Sequence, residues 1–126
     1  MEIKLFIPES QSNQFVQHLE LVDKKDLSST ESIVILKPTT NLVISVVSDT
    51  FPVTVTPYIS YDNKTYFGYG INTGSGSTFQ ISSVSLVFYD NARFNLPLNE
   101  SDMFLKLHIQ ASSENTTIIL AESKIW

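Results

Sequence analysis

The chain offers few groups for catalysis. It has no cysteine, two histidines, His18 and His108, and a single arginine, Arg93. Disulfides, thiolate zinc sites and cysteine nucleophiles are therefore excluded. A serine protease-like triad needs Ser, His and an acid to converge. Each histidine lies on the polar side of an alternating segment, with no second histidine two residues on. Gly74-Ser75-Gly76 sits in a loop without the strand-to-helix elbow of a hydrolase. Both histidines read as ordinary surface residues. Glycoside hydrolysis needs two facing carboxylates. The close acid pairs, Glu100 with Asp102 and Asp23 with Asp26, read as solvated turn acids, and a small glycosidase is the remotest reading. Calcium needs six to eight oxygen ligands. Asp62-Asn63 and Asp90-Asn91 supply one or two each, and Asx side chains bonding their own backbone explain both as turns. The expectation is a non-enzyme with no cofactor and no metal site.

Aromatic residues are the more informative group. Tyr58, Tyr61, Tyr66, Phe67 and Tyr69 fall on one predicted hairpin. Alternation puts Tyr61 on the apolar face of the first strand and Tyr58 on the other. On the second strand Phe67 and Tyr69 face together, opposite Tyr66. At least one tyrosine is then left outward, as a low-entropy contact for a sugar ring or a neighbouring subunit. The plainer reading is cross-strand aromatic pairing that stabilises the hairpin. With Trp126 at the C-terminal end, these residues form the candidate recognition surface.

Composition narrows the class further. At 126 residues the chain is one domain's length, with enough core to fold unaided. Net charge is −5, and the only adjacent basic pair, Lys24-Lys25, is flanked by Asp23 and Asp26. Nucleic acid and anionic membrane are disfavoured as partners. The N-terminus has an acid at Glu2 and a proline at Pro8 where a signal peptide needs a basic start and a longer apolar stretch. A chain starting at its own Met reads as complete and made in the cytoplasm, so the sequons at Asn63, Asn99 and Asn115 read as chance. No run approaches a membrane span. The 17 Ser, 11 Thr and 8 Asn give a hydroxyl- and amide-rich surface of the kind found on extracellular and virion β-proteins.

Period-two alternation predicts the elements. Ile3, Leu5 and Ile7 share a face, as do Phe15, Leu19 and Leu21. Only residues 9–25 compete as a helix, with Phe15, Leu19 and Val22 at helical spacing. Residues 32–37 and 41–48 are nearly continuous apolar runs, which fit strands covered on both sides. In residues 53–61, Val53, Val55, Ile59 and Tyr61 face one way, and Pro57 implies an edge or bulge. Residues 65–70 return as a strand, and 72–77 form the most flexible segment. Residues 78–89 read as one long strand with Val84, Leu86 and Phe88 inward, and 94–99 as an irregular connection. Met103, Leu105, Leu107 and Ile109 alternate against Phe104, Lys106, His108 and Gln110, and 116–121 close the domain. The whole predicts one all-β domain over 1–126, an antiparallel, jelly-roll-like β-sandwich of about nine strands with little or no helix. Residues 1–30 form an N-terminal arm or edge strands.

From Val53 onward the chain resembles the small β-sandwich structural proteins of tailed-bacteriophage particles. The likeness rests on Val53, Val55, Tyr58-Ile59-Ser60 and Asp62, on the turn to Tyr66-Phe67, on Phe104-Leu105-Lys106-Leu107 and on Thr116-Thr117-Ile118-Ile119. It identifies no functional residue. It implies a head-decoration, fibre or connector protein, made in the host cytoplasm and built into a virion through contacts with capsid or tail proteins and with copies of itself. A carbohydrate-binding module using the tyrosines is the alternative.

Overall fold

The computed structural model describes residues 1–6, 19–38, 41–98 and 103–122. Twelve strands occur among them and no helix. They are β1 (Glu2–Phe6), β2 (Glu20–Ser28), β3 (Glu31–Lys37), β4 (Leu42–Ser48), β5 (Val53–Ser60), β6 (Phe67–Gly68), β7 (Gly70–Asn72), β8 (Ile81–Ser83), β9 (Leu86–Phe88), β10 (Ala92–Leu96), β11 (Phe104–Gln110) and β12 (Thr116–Glu122).

These form a four-stranded sheet, β1-β12-β4-β10, and a six-stranded sheet, β2-β3-β11-β5-β6, with β9 also on β5. A separate hairpin pairs β7 with β8. The chain changes sheet from β3 to β4 to β5 and again from β9 through β10 and β11 to β12, a double-sheet, jelly-roll-like arrangement. Period two dictates the core: Val34 and Leu36, Leu42, Ile44 and Val46, Val53 and Val55, Leu105, Leu107 and Ile109, and Ile118 and Leu120 are all buried in one cluster. Both sheets contribute to it, which identifies the alternation seen in the sequence with the two inner faces of a sandwich.

Several elements depart from the sequence reading. The predicted long strand over 78–89 is two strands, β8 and β9, broken at Val84 and Ser85 where the chain changes partner from β7 to β5. Residues 92–96 are a strand, antiparallel to β4, where 94–99 was expected to be irregular. Asp23 and Asp26 lie within β2, not in a turn. Tyr61 leaves the apolar face because β5 ends at Ser60. Residues 20–28 are strand, so the helical alternative fails there, and the remainder of 9–25 up to 18 lies outside the described residues. The two apolar runs are half-covered on their outer faces: Ile33, Ile35 and Val43 keep partial exposure and Val47 is exposed. The N-terminal segments are edge strands. One pairing, β1 on β12, is parallel within otherwise antiparallel sheets.

Pro57 is accommodated without an edge or a bulge. Along β11 the ladder of β5 is continuous, with Leu107 opposite Pro57. The Pro57 carbonyl accepts from the Tyr69 N–H at 3.2 Å on the other side. The missing proline N–H therefore faces that side too. There β9 covers only Val53 to Val55 and β6 only Tyr58 and Ile59. The proline occupies the gap between two partner strands.

The free edge of β2 is blunted. Its register shifts between Leu21 and Asp23 and between Asp26 and Ser28. Lys24 and Asp26 lie opposite the core-side residues Val34 and Ser32 and form an ion pair at 3.7 Å. Bulges and inward charges of this kind oppose edge-to-edge pairing.

Candidate recognition surface

The tyrosine hairpin begins with a turn held by side chains. Asp62 Oδ1 accepts the N–H groups of Lys64 and Thr65, both at 2.9 Å, and the Ser60 hydroxyl at 3.0 Å. Ser60 Oγ in turn accepts from the N–H of Asn63 at 2.9 Å. Asn63 adopts the left-handed region, φ 60°, which asparagine tolerates. The Asp62 oxygen is thus engaged in closing the turn, the role read from the Asx pair. Those backbone donors hold its carboxyl below the ordinary range. Its contribution to stability is present at neutral pH and is lost as pH falls through that lowered value.

Tyr66 donates its hydroxyl to Asn63 Oδ1. Partial burial, then the Asp62 charge, raise its phenol above the ordinary tyrosine value. A raised folded-state value means that the contribution of Tyr66 is complete below pH 10 and is lost at higher pH. In an ultraviolet titration the Tyr66 phenol should ionise above the ordinary tyrosine range. Asp62→Asn should move it back toward, but not fully to, the ordinary value, since burial remains. An unchanged titration would exclude the Asp62 charge as a cause.

The register brings together what the sequence keeps apart. Lys106 on β11 lies opposite Tyr58 on β5. Its Nζ sits 4.3 Å from the Tyr66 ring centre and 5.2 Å from that of Tyr58, a cation held between two ring faces. One strand over, Lys37 Nζ lies 5.3 Å from the Phe104 ring centre. Tyr58 and Tyr66 therefore share the outer face of the six-stranded sheet, as alternation allowed, but with a lysine between them. Tyr69 packs on the core and donates to the Pro97 carbonyl. Phe67 is parted from it and is 57% exposed, and Tyr61 is 66% exposed. Trp126 lies outside the described residues.

Sequence reasoning missed a second surface. From Thr65 to Tyr89 the chain carries no Asp, Glu, Lys or Arg. This run contains the β7–β8 hairpin, which pairs with neither large sheet. Its base is closed by the Val84 N–H on the Tyr69 carbonyl at 2.8 Å. Nearer the tip, Thr73 N–H reaches the Gln80 carbonyl at 2.7 Å, and Asn72 Oδ1 accepts from Gly74 and Gln80. The segment expected to be most flexible is thus tied by hydrogen bonds. Phe79 is 77% exposed and Ile81 71%, and Ile71, opposite Ser82, is exposed on the other face of the hairpin. Exposed apolar side chains on both faces of an uncharged projection are a contact surface in the making. The signal was present as the missing charges, not as any motif.

The remaining candidates have structural roles or lie outside the described residues. His108 Nε2 pairs with Glu31 Oε2 at 3.2 Å, across strands, and Gln110 donates to the same oxygen at 3.2 Å. Asp90 Oδ1 accepts from the Asn91 N–H, and Asn91 Oδ1 from the Ser48 N–H, which makes that dipeptide a turn. His18, Glu100 and Asp102 lie outside the described residues. Among the described residues no group of three or more His, Asp or Glu side chains is placed to hold a metal ion. Nor is any helix long and apolar enough to cross a membrane. Comparison with protein-family models, with curated proteins and with solved structures finds no match for the chain.

Proposed function

We propose that this protein is a non-enzymatic structural component of a tailed-phage virion, acting through protein–protein contacts with other particle proteins and with its own copies. The observation that carries the contact reading is the uncharged β7–β8 hairpin, with Phe79, Ile81 and Ile71 exposed on a projection outside both sheets. A two-stranded hairpin standing alone is marginal in water. Packing against a second protein surface would bury its apolar side chains and stabilise it. Only uncharged groups would be desolvated, which keeps the penalty of burial low. The virion setting is motivated by the likeness in strand pattern and by the hydroxyl- and amide-rich composition.

The experiment is size-exclusion chromatography with light scattering, and co-sedimentation with particles assembled without the protein. Wild type should self-associate or bind the particle. Phe79→Ser combined with Ile81→Ser should weaken that association at least about thirtyfold, the effect of losing one central apolar contact residue. Because both residues lie off the sandwich, circular dichroism should not change. A wild-type protein that stays monomeric and binds no particle would overturn the reading.

A further inference from the structure

We propose that two copies of this chain join through the free edges of β10, antiparallel about a twofold axis at Phe94, so that their four-stranded sheets run on as one continuous sheet. This gives the self-association of the assembly reading a surface and a symmetry of its own, and it rests on that reading. Among the described residues β10 has β4 on one side and no strand on the other. The other edges are poor templates. β2 is bulged and carries inward charges, β6 has two residues and β9 three, and β1 carries both Glu2 and Lys4. β10 has five residues in unbroken register with β4, and Arg93 is its single charge. An unbroken strand edge is a template for a further strand.

Two bonds fix which groups of β10 face outward. The Ser48 N–H reaches the Asn91 side chain and the Leu98 N–H reaches that of Asn41, so the even-numbered residues turn their amides toward the neighbouring strand. The alternate residues, Arg93 and Asn95, therefore turn N–H and C=O to the free edge. Ala92, Phe94 and Leu96 lie opposite the buried Val46, Ile44 and Leu42, on the inner face. Phe94 is nevertheless 42% exposed, an inner-face ring left partly uncovered at the end of the sheet. Opposed residues share a face, so odd must pair with odd. Centred on Arg93, the pairing would set two arginines opposite each other. Centred on Asn95, it would set Arg93 against Pro97, which has no N–H to donate. Centred on Phe94, every residue of β10 pairs. Arg93 then exchanges both backbone bonds with Asn95 of the second copy, and the two Phe94 rings meet where side chains approach most closely. β10 holds no acid, so in a chain of net charge −5 this approach brings no carboxylates together. The strand is thus complementary to itself, which makes a second copy the fitting partner and a closed dimer the product.

The test is sedimentation equilibrium of the full chain over a concentration series, with co-sedimentation on particles in parallel. Wild type should dimerise. Asn95→Pro removes an outward N–H that β4 does not use, a change that edge strands accept. It should weaken the dimer at least about tenfold, the loss of two symmetry-related hydrogen bonds, with circular dichroism unchanged. Asn95→Glu sets an acid opposite Arg93 of the second copy and should tighten the dimer about fivefold. Asn95→Arg sets like charges there and should weaken it about fivefold. These two variants serve where the proline disturbs the strand. Phe79→Ser with Ile81→Ser should keep the dimer and lose only association beyond it. A monomer that binds particles would overturn this proposal alone, and a monomer that binds none would overturn the assembly reading with it. A dimer indifferent to Asn95→Pro, Glu and Arg variants that act alike, or a dimer lost in the hairpin variant would each overturn the β10 seam.

Discussion

Leu107→Ala should unfold about 3 kcal/mol more readily than the wild-type protein, within the range for leucine truncations that leave a cavity. Leu107 is fully buried at the middle of β11, with Val34 of β3 opposite on one side and Pro57 of β5 on the other. The strand is central to the six-stranded sheet, so the site cannot collapse by moving an edge. For a domain of this size the loss corresponds to a fall in Tm of roughly 10 °C. Urea unfolding and a thermal scan measure both. Val87→Ala, at an exposed position on β9, should change stability by no more than about 0.5 kcal/mol. If Leu107→Ala behaved like Val87→Ala, the two sheets would not share the core described above.

Gly74→Ala should release the β7–β8 hairpin while sparing the sandwich. A Cβ at Gly74 would lie 2.2 Å from the Thr78 carbonyl oxygen and 2.9 Å from the Gln80 nitrogen. Both are backbone atoms, so the loop itself must shift. That shift removes the bonds from Asn72 to Gly74 and Gln80 and opposes the Thr73–Gln80 bond. An isolated hairpin has little stability in reserve. Amide exchange in residues 70–83 should therefore accelerate by about a hundredfold, the loss of two or three net hydrogen bonds. Exchange in β3, β4, β11 and β12 should be unaltered. Self-association or particle binding should fall with it. Unchanged exchange in the hairpin would mean that the loop absorbs the methyl group and that its geometry is not what orders it.

What could be read from the sequence follows from how each segment is covered. β11 has one face on the core, so its alternation is plain and Leu105, Leu107 and Ile109 are inward as predicted, whereas β3 and β4 read as apolar on both faces because Ile33, Ile35, Val43 and Val47 stay on outer faces that are only partly covered. β2 carries Glu20, Asp23, Lys24, Lys25 and Asp26 on a sheet edge, and that polarity disguised a strand as turn acids. Pro97, just past β10, drew attention from the alternation of Ala92, Phe94 and Leu96. Residues 78–89 change phase, with Phe79 and Ile81 at odd positions and Val84, Leu86 and Phe88 at even ones, and that slip at Ser82-Ser83 is the legible sign of the break between β8 and β9. The tyrosine face was legible only as a set of rings. Lys106 comes between Tyr58 and Tyr66 through pairing distant in sequence, and neither spacing nor propensity encodes register. The charge-free run from Thr65 to Tyr89 was legible in principle, since it needs only the absence of four residue types.

The gap filled by Pro57 bears on how such a protein can vary. One uninterrupted strand, β5, is partnered by two short pieces, and everything between them leaves and rejoins the sheet at nearly the same point. Residues 70–83 are thereby a cassette: they are spliced into one side of a ladder whose other side never breaks. Such an insert can be lengthened, shortened or replaced wholesale while the scaffold keeps its register. Diversification of the projecting surface is thereby uncoupled from the stability of the sheets beneath it, and a laboratory exchange of this segment is the natural way to redirect what the protein holds.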